Sequence, residues 1–155
     1  MLGVLMARRK IRRSVKALNR RELASYMDGW AEDGVLQFPG AIPGVSGTHV
    51  GKAAVRVFFQ RMFEQFPVIR FISRHVLVQN PMALGSNVIA MQWDLEVVNR
   101  EGLEGRNSGV TMATIRRGKV VHLQDFIFDT GDRFHAAWGA GNVTAVAEPE
   151  VIPAG

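Results

Sequence analysis

The second half of the chain is dominated by four segments, residues 68–80, 86–98, 107–117 and 119–129, rich in β-branched side chains. Their separators are turns: Asn80-Pro81 with Gly85, then Asn99 to Gly105, then Arg117-Gly118. None is long enough for the helical crossover a parallel pair needs, so the segments predict consecutive antiparallel strands. A sheet of this kind must cover one face, and the cover lies upstream. Val4, Ala7, Ile11, Val15 and Leu18 recur at three- and four-residue steps, and Leu23, Tyr26, Met27 and Trp30 make a shorter stripe that ends near Gly34. A third helix is predicted from about Lys52 to Phe66, with Val55, Phe58, Phe59, Met62, Phe63 and Phe66 on one face and Pro67 as its stop. Residues 34–38 read as a short strand, and 38–51, with two prolines and four glycines, as a turn-rich loop or small hairpin. Helices first and a long meander afterwards predict an α+β fold, with the helices packed on one face of a curved sheet.

A chain of 155 residues has room for one domain, expected over 1–138, and 139–155, rich in Ala, Gly and Pro, predict a flexible tail. The net charge of +5 raises nucleic acid or acidic membranes as partners, but eight basic residues, Arg8 to Arg21, precede the first acid, Glu22. The rest of the chain carries 11 cations against 14 acids, a net −3. The basic run is the outer face of the first helix, with no aromatic interleaved as a stacking platform, so neither nucleic acid nor membrane is the expected partner. The apolar run Met1 to Met6 is too short for a signal-peptide core or a membrane span. Absence of cysteine excludes disulfides, thiolate zinc and a cysteine nucleophile, and points to a reducing, cytoplasmic compartment.

Strand alternation sorts the chemistry. Gln92, Asp94 and Glu96 share one side, and Met91, Trp93, Leu95 and Val97 the other, while Asp125 shares its side with Val121, Leu123 and Ile127. With one strand between them, Asp94 and Asp125 would stand about 9–10 Å apart, closer where the sheet curves. A carboxylate among aliphatic neighbours loses hydration, and its raised pKa suits acid or base work near neutrality. Two carboxyls in unequal environments then form an acid and base pair. Solvated or ion-paired carboxylates fit the same pattern, Glu96 above all. Trp30, Tyr26, Phe59 and Phe63 are candidate pocket wall, and core packing accounts for them equally well. His75 shares a strand face with Phe71 and Leu77, as a core or cavity residue. His135, Asp129 and Asp132 have no recognised ligand spacing, so no metal and no cofactor is expected. Gly51-Lys52 fails as a phosphate loop, because Ala53 follows it and Ser46 holds the place of the first glycine.

The strings LNRRELASYMDGWAEDGVLQFPG, GTHVGKAAVRVFFQRMF, NVIAMQWDLEVVNREG and RRGKVVHLQDFIFDTGDRF, in this order over roughly residues 8–138, resemble the nuclear-transport-factor-2-like superfamily, specifically its SnoaL-like branch. The resemblance implies a conical fold whose helices cover the concave face of a bent sheet around a largely apolar pocket. It also implies a homodimer through the outer sheet face, for which Met91, Trp93 and Leu95 are the expected greasy row. Limonene-epoxide hydrolase, within this superfamily, has two aspartates at the spacing of Asp94 and Asp125. Gln92 stands where that enzyme has a bridging arginine, and Leu36 and Phe38 where it has water-holding side chains. The base of ketosteroid isomerase falls on or beside Phe38. A polyketide cyclase of the SnoaL type needs mainly one acid/base carboxyl, which Asp125 supplies.

The expectation is a cofactor-independent acid/base enzyme for a small, largely apolar organic substrate, acting by isomerisation, cyclisation or epoxide opening. Asp125 is the principal acid/base, Asp94 its partner, and Gln92 an orienting group beside the wall of Trp30, Tyr26, Phe59 and Phe63. The alternative is a ligand-binding or dimeric scaffold of the same fold without chemistry.

Overall fold

A computed structural model of the chain describes residues 2–83 and 85–139. The expected tail therefore lies, apart from Gly139, outside the described residues.

Helix α1 (Leu2–Asn19) and helix α2 (Leu23–Met27) lead into strands β1 (Trp30–Phe38) and β2 (Gly47–Val50), then helix α3 (Lys52–Gln65). The meander follows as β3 (Val68–Val78), β4 (Ser86–Val98), β5 (Glu104–Arg116) and β6 (Lys119–Ile127), closed by the short helix α4 (Asp132–Ala137). All six strands form one curved, unclosed sheet in the order β2-β1-β6-β5-β4-β3. The four meander strands pair antiparallel as predicted, and β1 with β2 forms the small hairpin.

Sequence periodicity misplaces the boundary between α2 and β1, and β5 begins at Glu104 rather than at residue 107. The second helical stripe was expected to run through Trp30, yet α2 stops at Met27 and Trp30 opens β1. The Val120 amide donates to the Gly29 carbonyl at 2.8 Å and Trp30 pairs with Val120, so β6 captures this segment as a parallel neighbour. Gly34 then lets the strand pass its own tryptophan: a Cβ there would lie 2.9 Å from the Trp30 ring.

Two side chains of the N-terminal region dock helices to the sheet. Asn19 accepts from the Phe71 amide at 2.7 Å and donates to the Phe71 carbonyl at 3.0 Å, which satisfies part of the free edge of β3. Arg21 donates to the carbonyls of Phe63 and Pro67 at the end of α3, where helix carbonyls lack partners. One of the eight N-terminal cations is thus a helix cap.

The core lies between the helices and the concave face, with Met27, Trp30, Leu36 and Val55 at 2% exposure or less. At one end Gln65 and Asn99 both donate to the Ala137 carbonyl, at 2.9 and 3.1 Å. They seat α4 so that Trp138 meets Phe38, Phe58 and Phe66. Burying these aromatics stabilises the closed end by about 1.5–3 kcal/mol per fully covered ring.

Candidate active site

Between the helices and the sheet lies a cavity of about 1220 Å³, lined from α1, α2, α3, α4 and the inner faces of β3 to β6. Its sheet wall is set by strand parity. Ile89, Met91, Trp93, Leu95 and Val97 of β4, Thr111, Ala113 and Ile115 of β5, and Leu123, Asp125 and Ile127 of β6 all face inward. Along the middle of these strands the wall is apolar except at one place.

There Thr111 is the direct cross-strand partner of Asp125, and Trp93 lies diagonally on the next strand. The indole Nε1–H of Trp93 donates to Thr111 Oγ1 at 2.9 Å, and an indole nitrogen has nothing to accept with. Thr111 is therefore held as acceptor on that side, and its own hydroxyl proton goes to Asp125 Oδ1. Oδ2 makes no hydrogen bond among the described residues. The indole reaches this position by lying against β5: a Cβ on Gly109 would fall 2.7 Å from the Trp93 ring.

Asp125 keeps some accessible surface because it faces the cavity, but protein surrounds it on every other side. Desolvation pushes its carboxyl up from 3.8 to about 6, against the opposing hydrogen bond from Thr111. Tyr26, 7% exposed, lies close enough to feel that charge. Burial foremost, then the Asp125 carboxylate, pushes its phenol well above the ordinary value, opposed by hydrogen bonding with Trp30. The phenol thus stays a neutral donor beside a carboxyl that exchanges its proton near neutrality. Among the described residues no group of three or more His, Asp or Glu has a metal-holding arrangement.

Asp125, Tyr26, Trp30 and Phe59 line the cavity, whereas Phe63, expected beside them, is buried in the core behind it. Asp94 and Gln92 are placed on the opposite side of the sheet. The Asp94 carboxyl is 37% exposed and takes a 2.6 Å bond from Arg74 Nε, so it does not meet Asp125. Correspondingly Met91, Trp93 and Leu95, expected outside as a dimer contact, line the cavity. The unbroken register of β4 against β5 fixes both at once, because a strand cannot turn Asp94 inward without turning Trp93 out. His75 is exposed, since a register shift between Ser73 and His75 breaks the alternation that tied it to Phe71. Thr111 and Trp93 are the site residues that sequence reasoning missed. The signal available for Thr111 was its place on the inward parity of β5.

The fold is shared with solved structures. TerC, co-crystallised with polyporic acid, is 21% identical over 83% of this chain and 95% of its own, with a TM-score of 0.69. A candidate isomerase from Bacillus subtilis is 22% identical over 91% and 98%, with a TM-score of 0.71. A candidate polyketide cyclase from Xanthomonas campestris pv. campestris is 18% identical over 78% and 89%, with a TM-score of 0.61. No curated protein matches the chain in sequence. The SnoaL-like domain matches residues 11–123, which span α1 to the middle of β6 and carry the Thr111 and Trp93 positions, and on that match the chain belongs to the SnoaL-like domain family.

Proposed function

We propose that the protein is an acid/base enzyme that uses no cofactor and transfers a proton within a small, largely apolar organic substrate, by isomerisation or cyclisation. The observation that carries this reading is one carboxyl, Asp125, with a pKa of about 6 among the apolar side chains Trp93, Ala113, Leu123 and Ile127 of the cavity wall, away from the charged residues at its two ends. Ionised Asp125 takes a proton from a carbon next to a carbonyl, and Oδ2 is the oxygen open to the cavity. The Tyr26 phenol donates a hydrogen bond to the carbonyl oxygen as charge gathers there. Protonated Asp125 then returns the proton to another carbon or to an oxygen of the substrate, which leaves the enzyme unchanged. Epoxide opening by two carboxyls is no longer favoured, because Asp94 and Asp125 lie on opposite faces.

The resemblance in fold to a candidate isomerase, a candidate polyketide cyclase and a protein co-crystallised with polyporic acid supports an organic ligand of this class. A homodimer through the outer sheet face belongs to the same proposal. Its apolar contact is now Met112 and Phe126, which are 43% and 42% exposed. No described helix is long and apolar enough to cross a membrane, and a cytoplasmic location is proposed on the cysteine-free sequence.

Turnover of a panel of cyclic ketones and polyketide-like ketones tests the reading. Asp125→Asn should lower kcat/KM by about 10²–10⁴-fold and remove a pH limb near 6, while Asp94→Asn stays within about twofold. Binding of the panel without turnover would leave a binding protein of the same fold, and turnover untouched in Asp125→Asn would remove Asp125 as the acid/base group.

A further inference from the structure

The cavity is electrically lopsided. Asp125 lies between two ends of β6, one beside Lys119 and the other beside Asp129. At the Lys119 end the wall carries four cations, Lys10 and Arg13 from α1, Arg117 from the β5–β6 turn and Lys119 at the start of β6, against one carboxylate, Asp28. At the other end Glu104, Asp129 and Asp132 stand with Arg106 and Arg133, a mixed rim.

Residues 108 and 91 positions apart are drawn together at the basic end. Lys10 Nζ donates to the Gly118 carbonyl at 2.6 Å, and Lys119 Nζ donates to the Asp28 carbonyl. Both acceptors are neutral, and neither bond discharges its ammonium. None of the four cations makes an ion pair among the described residues, whereas Lys52, Arg70, Arg74, Arg100 and Arg116 all do.

A second, independent feature points the same way. Arg117 sits at φ +49 and Gly118 at φ +77, a two-residue turn in which both positions favour glycine or asparagine. An arginine is kept in that position, on the cavity lining, at the expense of local strain, which is where functional constraint is looked for. From this rim Ile115, Val120 and Leu123 make an apolar track to Asp125. Asp125 is six positions along β6 from Lys119, about 20 Å along a strand.

We propose that the substrate is an amphipathic anion whose carboxylate or phosphate head rests on Lys10, Arg13, Arg117 and Lys119 while its apolar body runs along the cavity to Asp125. This inference rests on the reading of Asp125 as the acid/base group, but the head-group preference is measured separately from turnover. Dodecanoate, dodecyl phosphate and dodecanol serve as probes, followed by quenching of the cavity tryptophans and by calorimetry. Both anions should bind about tenfold more tightly than dodecanol at low salt, with the gap narrowing as salt screens the rim. The stronger anion reports whether a carboxylate or a phosphate is the better head.

Lys10→Met and Arg117→Gly should each weaken anion binding about two- to fivefold and leave dodecanol unchanged. Arg117→Gly should hold or raise Tm, because glycine relieves the positive φ, so weakened binding there is not unfolding. Equal affinity for dodecanol and the anions, or a gap indifferent to salt and to both substitutions, overturns the proposal. Asp125→Asn should keep the preference while losing turnover. If it instead keeps turnover, the acid/base reading falls and the anionic rim stands.

Discussion

Asp125 and Asp94 carry the same side chain, and their chemistry differs because of what faces them. Asp94 meets Arg74 in water, a pair worth about 0–1 kcal/mol, so Asp94→Asn should shift stability by no more than that. Asp125 pays desolvation whenever it ionises. Its folded pKa of about 6 lies above the ordinary 3.8, so between these values the native state binds more protons than the unfolded state. Its contribution is therefore fully present below about pH 4 and is lost as pH rises through 6. Asp125→Asn removes that dependence and should raise stability at pH 8 by up to about 3 kcal/mol more than at pH 4, read by urea melts at both pH values. A substitution that abolishes turnover while strengthening the fold would separate a functional carboxyl from a structural one. Thr111→Val should push the Asp125 pH limb upward, because the lost hydrogen bond favours the charged form, and should cost about 1–3 kcal/mol by stranding the Trp93 Nε1–H. An unchanged limb would show that the hydroxyl does not act on the carboxyl.

Strand β4 shows how one element fixes the site. Its alternation partitions Met91, Trp93, Leu95 and Val97 from Gln92, Asp94 and Glu96, but the partition alone does not say which set is inside. The aspartate spacing shared with limonene-epoxide hydrolase argued for the polar set, and the structure has the apolar one. The deciding contact is on the neighbouring strand, where Gly109 leaves room for the Trp93 indole and Thr111 takes its N–H. Gly109→Ala would bring a methyl against the ring and the Phe126 carbonyl, and should cost about 1–3 kcal/mol in chemical denaturation. A neutral Gly109→Ala would mean that the indole is not wedged there. Strand β3 gives the complementary case: the bulge near Arg74 exposes His75 and frees Arg74 to reach Asp94.

At the scale of the whole molecule, the outer sheet face is mixed rather than greasy, with Met112 and Phe126 beside the charges of β4. If it joins two copies, Phe126→Glu should shift sedimentation from dimer to monomer while the cavity and its tryptophan fluorescence stay intact. A wild-type protein that sediments as a monomer at micromolar concentration would end the dimer proposal. The sequence by itself determined the order of helices, the antiparallel meander, the residues that share each face of β4 and the family, because helix and strand periods and turn residues are set by local backbone physics. It also placed Asp125 among aliphatic neighbours. Only the tertiary structure decided which face of β4 looks inward, that β1 pairs parallel with β6, and that Lys10 meets Gly118 across 108 residues. Those outcomes depend on which surfaces lose water against one another, and that is a property of segments distant in the chain rather than of any one of them.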